Sequence, residues 1–192
     1  PYTLDPTWTG GDWAYSKYLG ELIGVVDSLY NTYADPQYRA VTGLSMGGHA
    51  SILMSASNPQ LIRSASHFSH SPPYWLVGPA PVTTPVDVTQ LWRNFRGLSF
   101  RTSTNDQDYI FHPSREMGIA FEGAGFENDY HKAIFWRHWA ADIDSQFDFH
   151  MNTFAVPRPV VNCFSFINFY PNFDAWNYKV TSGKAEPGWI YL

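Results

Sequence analysis

The stretch Tyr38-Arg39-Ala40-Val41-Thr42-Gly43-Leu44-Ser45-Met46-Gly47-Gly48-His49-Ala50 sets the fold class. Tyr38 to Thr42 is a short β-prone run that stops at glycine. Gly43-Leu44-Ser45-Met46-Gly47 fits G-x-S-x-G, the pattern of a strand that turns sharply into a helix around a serine. Small and apolar residues then continue through Ala50, Ile52, Leu53, Met54 and Ala56, as in a buried helix, and Asn58-Pro59 closes it. Each position has a physical reason. The serine must sit on a tight turn for its hydroxyl to project at the strand's C-terminal end. Glycines flank it because a strand and a helix meeting there leave little room for a Cβ. The helix then aims its first N–H groups, Met46 among them, at the space beside the hydroxyl, where they can bind an oxyanion.

Outward from this point, strands and helices alternate. Leu19, Leu22, Ile23, Val26, Leu29 and Tyr30 recur at spacings of three and four and predict a helix before the stretch, stopped by Pro36. Residues 1–15 read as a surface loop. Downstream, Ile62 to Phe68, Leu98 to Thr104 and Tyr130 to Phe135 are strand candidates. The Pro-rich segment from Ser71 to Pro85 forbids regular structure. Helices are expected over Pro113 to Ala124, stopped by Gly125, and from about Ala141 to Phe154. In the last helix Ile143, Phe147, Met151 and Phe154 form the stripe expected to face inward. Four strand–helix alternations predict an α/β fold, a parallel sheet flanked by helices. After Pro157-Arg158-Pro159, Trp176, Tyr178 and Val180 alternate with polar residues as in an antiparallel strand. A domain boundary is therefore expected near residue 156, separating 1–156 from a β-rich segment at 157–192.

Composition excludes several classes. The chain of 192 residues is 44% hydrophobic, 18% aromatic and only 15% charged, which is incompatible with intrinsic disorder. A net charge of -5 with 12 Lys+Arg argues against a nucleic-acid surface. No run of about 18 apolar residues occurs, so no membrane-spanning helix is expected. The single cysteine, Cys163, excludes an internal disulfide framework. His67-Phe68-Ser69-His70 offers a histidine pair, but no H-E-x-x-H or Cys pair accompanies it, and no nucleotide-binding glycine loop is present. Neither a metal nor a cofactor is expected.

A serine hydroxyl needs a base to become a nucleophile, and the base needs an acid to orient it. Asn105-Asp106-Gln107-Asp108 follows the third strand and Trp136-Arg137-His138-Trp139 the fourth, so both groups fall at C-terminal strand ends, where open α/β sheets build their sites. Asp106, nearer the strand, is the first choice for the acid, with Asp108 as the alternative. Of the seven histidines, His138 alone combines the order Ser, acid, His with a loop after a late strand. His131 lies in a strand pattern, His150 in the last helix, and His112 beside a helix start. His49 reads as a hydrogen-bonded core histidine, and His67 and His70 precede the acid. Trp139 beside the base, and Trp75 in the Pro-rich segment, are candidates to stack on a substrate ring.

Gly43-Leu44-Ser45-Met46-Gly47-Gly48-His49-Ala50, Thr104-Asn105-Asp106 and Arg137-His138-Trp139, with the helix Glu21 to Tyr30, resemble the esterase family of the α/β-hydrolase superfamily over roughly residues 5–155. Acetylxylan and feruloyl esterases and S-formylglutathione hydrolases belong to it. The resemblance implies Ser45 as nucleophile, Asp106 as acid, His138 as base and the Met46 N–H as half of the oxyanion hole. It implies a secreted or periplasmic serine esterase acting on an acylated carbohydrate or similar small ester. A non-catalytic carbohydrate-associated module and an acyltransferase are the rival readings. The family places strands and an oxyanion loop before the nucleophile strand, whereas only roughly 37 residues precede it here. The chain is therefore expected to lack the N-terminal part of the sheet, and to be poorly soluble and weakly active alone because of a bare strand edge.

Overall fold

The computed structural model describes residues 15–71, 88–125, 128–133, 137–140, 142–168, 172–181 and 190–192. The expected loop at the N-terminus and the Pro-rich segment with Trp75 lie outside them, except for residues 15 and 71. The helix α1, Tyr15–Leu29, comes first. Then follow β1 (Ala40–Val41), α2 (Met46–Ser57), β2 (Ser64–Phe68), a 3₁₀ segment (Val88–Phe95), β3 (Ser99–Asn105), α3 (Phe111–Gly123), β4 (Asn128–Ala133) and α4 (Ile143–Phe154). The four strands form a parallel sheet in the order β1-β2-β3-β4. A bridge between Leu44 and Phe68 carries the β1–β2 pairing to the residue before Ser45. Parallel strands joined by helical crossovers are what the alternating pattern predicts.

The two faces of the sheet differ in chemistry. On one, Ala65 and Phe100 are paired across β2 and β3, and they pack with Ile52 and Ala56 of α2 and Met117 and Phe121 of α3. Phe95, Phe100 and Phe121 form a ring cluster with centroids 4.5 to 5.1 Å apart. From α1, Leu19 is buried and Ile23 partly buried against this core, whereas Leu22 and Leu29 are exposed.

The opposite face corrects the reading of α4. Ile143, Phe147 and Met151 are 47%, 61% and 62% exposed, and the buried residues of the helix are Gln146, His150 and Thr153. The reason lies in the strands below. β2 and β3 present Ser64, Ser66 and Ser103 to α4, and a buried hydroxyl must find a partner. Ser64 Oγ meets His150 Nδ1 at 2.7 Å, Ser66 Oγ meets His150 Nε2 at 2.8 Å, and Ser103 Oγ donates to Gln146 Oε1 at 3.3 Å. Arg101 Nη1 adds a bond to Ser145 O at 2.7 Å. Polar strands select the polar side of the helix.

This interface makes stability pH-dependent. Burial first, and then the charge of Arg101, lower the His150 pKa from 6.5 to about 4. Below pH 6.5 the unfolded chain therefore takes up a proton that the native state refuses, so stability falls as pH drops from about 7 toward 4. His150 alone accounts for about 3 kcal/mol of that loss. His67, held well below its usual value by burial and then by His70 and His49, acts in the same direction. Urea midpoints at pH 7.5 and 5.0 measure the effect. His150→Gln should flatten the dependence, and an unchanged slope in that variant would refute the assignment.

The chain after α4 folds back on the α/β part. β5 (Ile167–Asn168) pairs antiparallel with β8 (Ile190–Tyr191), and β6 (Asn172–Ala175) with β7 (Tyr178–Thr181). Asn94 acts as a backbone surrogate, its Nδ2 donating to Ile167 O at 2.7 Å and its Oδ1 accepting Ile167 N–H at 2.9 Å. Val180 is half-buried between exposed Lys179 and Thr181, but Tyr178, expected on the same face, is 64% exposed, and Trp176 sits in the turn rather than in the strand. Among the described residues, no helix is long and apolar enough to cross a membrane.

Candidate active site

Ser45 occupies the turn between β1 and α2 with φ 59 and ψ -120, a conformation that an L-residue holds only when its surroundings impose it. Three bonds impose it here. Ser45 N–H donates to Phe68 O at 3.0 Å, and Ser45 O accepts from His49 N–H at 3.1 Å and Ser71 N–H at 2.9 Å. The two flanking glycines have different roles. A Cβ on Gly43 would lie 2.2 Å from Gly47 O, so strand and helix approach there as closely as backbone allows. A Cβ on Gly47 would meet nothing within 4 Å among the described residues. Met46 opens α2, and its N–H is one of the first-turn donors that lack an intrahelical acceptor.

His138 lies just past the end of β4, and its Nδ1 meets Asp108 Oδ2 at 2.9 Å and Oδ1 at 3.1 Å. The carboxylate beside His138 is thus Asp108, not the first choice Asp106. The turn after β3 explains the change. Asp106 and Gln107 form its tip, half-buried and exposed respectively. The chain then returns, with Asp108 N–H donating to Asn105 O at 3.2 Å and Asp108 Oδ1 accepting Ile110 N–H at 2.9 Å. That brings in the second carboxylate, whose side chain is 0% exposed. An Asp closing a turn three residues before a helix start was the available signal.

Sequence reasoning missed Asn105. At the last position of β3, its Nδ2 donates to Arg137 O and to Trp139 O, both at 2.7 Å, and so clamps the backbone on either side of His138. The Tyr109 ring lies 4.9 Å from the His138 ring. Trp139 is 60% exposed on the same loop. Trp75 lies outside the described residues. His49, His67 and His70 are all buried under the Ser45 turn, with His49 Nδ1 3.2 Å and His70 Nδ1 3.0 Å from Ser71 O. Among the described residues no group of three or more His, Cys, Asp and Glu is arranged to hold a metal ion.

Because all four strands run parallel, Ser45, Asp108 and His138 follow C-terminal strand ends on one edge of the sheet. A strained serine at a helix N-terminus and a carboxylate-held imidazole on the same edge are the parts of nucleophilic acyl transfer. A model of the family described as "Esterase: Putative esterase" matches residues 2–145. The chain belongs to this family, within the α/β-hydrolases. Similar solved structures include a ferulic acid esterase, with 17% identity and a TM-score of 0.60 over 74% of this chain and 61% of that one. Esterase PE8 matches at 16% identity and TM-score 0.52, covering 75% of this chain and 62% of its own. SOBER1 of Arabidopsis thaliana matches at 14% and 0.51, covering 72% and 62%. The esterase-family chain thus spans less than two thirds of these structures, and the likeness concerns their fold. No curated protein matches the sequence.

Proposed function

We propose that the protein is a serine carboxylesterase that hydrolyses an acylated carbohydrate through a covalent acyl-enzyme. The carrying observation is the pairing of buried Asp108 with His138 on the sheet edge where Ser45 is held at φ 59. Ser45 Oγ attacks the ester carbonyl while His138 Nε2 takes its proton. The Met46 N–H supports the oxyanion. Collapse of the tetrahedral adduct expels the alcohol, which receives the proton from His138. Water then attacks the acyl-enzyme, giving up a proton to His138; collapse of this second adduct breaks its bond to Ser45 Oγ, which takes that proton back from His138 as the carboxylic acid leaves. Asp108 accepts the Nδ1 hydrogen throughout and so fixes the tautomer and stabilises the imidazolium.

Exposed Trp139 beside the base supports a ring-bearing substrate, as does the likeness to a structure named as a ferulic acid esterase. Trp75 is carried as a second stacking residue on its sequence position. Acylated polysaccharides are too large to enter a cell, so this reading places the protein outside it or in a periplasm. A fluorophosphonate probe tests the reading in the full-length protein. Labelling should map to Ser45 and vanish in Ser45→Ala, while labelling that persists in that variant would exclude Ser45 as the nucleophile.

A further inference from the structure

At the other ends of the strands, Arg63 immediately precedes β2 and is 4% exposed. Its Nη1 donates to Ser99 Oγ at 3.2 Å, and its Nε is buried without a hydrogen-bond partner. No carboxylate forms an ion pair with it among the described residues. Another cation is close by: the Arg158 guanidinium is pulled down to about 10 by burial first and then by Arg63, with Asp35 acting in the opposite direction. Arg158 likewise leaves its Nε without a partner, but its two Nη atoms donate to Gln60 O at 2.9 Å and to Pro59 O, and its guanidinium lies over the Trp176 ring at 4.7 Å. Among the described residues the Arg63 side chain has only the bond to Ser99 Oγ. A buried charge left without compensation is strongly destabilising, and a guanidinium compensates best with an oxyanion that accepts two parallel bonds.

A cavity of 530 Å³ adjoins Arg63, walled by Arg96, Leu98, Pro157 and Pro159 among others. Arg96 is exposed and forms no ion pair among the described residues. Among the described residues no Asp or Glu lines this cavity, although the chain carries 17 acidic residues against 12 basic ones. Asp148 lines a separate cavity of 470 Å³ that Arg63 shares with Arg101, but it forms no ion pair with Arg63.

We propose that the cavity between Arg63 and Arg96 is an oxyanion site, taking phosphate or an organic carboxylate. The anion neutralises Arg63 and ties residues 156–159 to the start of β3, while Leu98, Pro157 and Pro159 offer apolar contact to any organic part. The length of β3 separates this site from the His138 edge by about 20 Å, so it does not act on the ester being cleaved.

Thermal unfolding of the protein at constant ionic strength tests this, with sodium chloride, phosphate, acetate and benzoate as separate arms. Phosphate, or the two carboxylates, should raise Tm over chloride by about 4 °C at roughly ten times its dissociation constant. Calorimetric titration with the effective anion should show one site. A rise confined to phosphate identifies a phosphoryl ligand, and one confined to acetate and benzoate an organic carboxylate. Arg63→Met should abolish the rise and Arg96→Gln should at least halve it. The second variant alters an exposed side chain, so the test stands if Arg63→Met does not fold. Equal Tm in all four arms, or a rise that Arg96→Gln retains in full, overturns the proposal.

Discussion

Asp108→Asn is expected to lower kcat by about 10⁴-fold, whereas Asp106→Asn changes it by less than about tenfold. The two residues are two positions apart and chemically identical, so the difference must come from surroundings. Asp108 has a side chain that is 0% exposed and lies 2.9 Å from His138 Nδ1, so its charge acts without water between. An asparagine there offers either a carbonyl or an amide N–H to the imidazole. Since Oδ1 already accepts Ile110 N–H at 2.9 Å, the amide nitrogen takes the place of Oδ2 and faces Nδ1. Nδ1 must then be unprotonated, Nε2 carries the hydrogen, and His138 can no longer accept the Ser45 proton. Asp106 lies half-buried at the turn tip, and the carboxylate on His138 Nδ1 is that of Asp108. Initial rates of p-nitrophenyl acetate hydrolysis by the full-length protein read both variants. A large loss at position 106 with a small one at 108 would reverse the roles.

That contrast also marks how far sequence reaches. The alternation of strands and helices, the serine turn and the loop position of His138 follow from patterns that backbone geometry enforces locally: a glycine that stops a strand, an apolar helix after it, a loop past a late strand. The choice between Asp106 and Asp108 depends on how a four-residue turn folds back, which neither residue type decides. The α4 error has a similar origin. Ile143, Phe147 and Met151 make a stripe that periodicity assigns to the interior, and the helix is there, but the sheet face beneath it is built of serines. Amphipathicity says which side of a helix is apolar. It does not say which side its neighbour prefers, and here Gln146 and His150 match the hydroxyls of β2 and β3 better than any aliphatic chain could. Asn105 escaped notice because its role exists only between distant segments, β3 and the His138 loop.

Gly43→Ala is expected to cost more than the ~1–3 kcal/mol typical of overpacking and to lower Tm by at least about 6 °C. The added Cβ would fall 2.2 Å from Gly47 O and 2.3 Å from Gly47 C, and both atoms are backbone at the first turn of α2. No rotamer change relieves such a contact. Either β1 must leave β2, which breaks the Phe68 N–H bond to Gly43 O at 2.9 Å, or α2 must tilt away from the sheet. Both movements relax the Ser45 turn, because the Ser45 N–H bond to Phe68 O and the Ser45 O bonds to His49 and Ser71 fix it from the two sides that would separate. Activity should therefore fall together with stability. Gly47→Ala is the internal comparison: with nothing within 4 Å among the described residues, it should change Tm by less than about 2 °C. Thermal denaturation by circular dichroism, paired with fluorophosphonate labelling of Ser45, reads both variants. If Gly43→Ala melts with the wild type, the close approach of strand and helix does not hold the serine in its strained conformation.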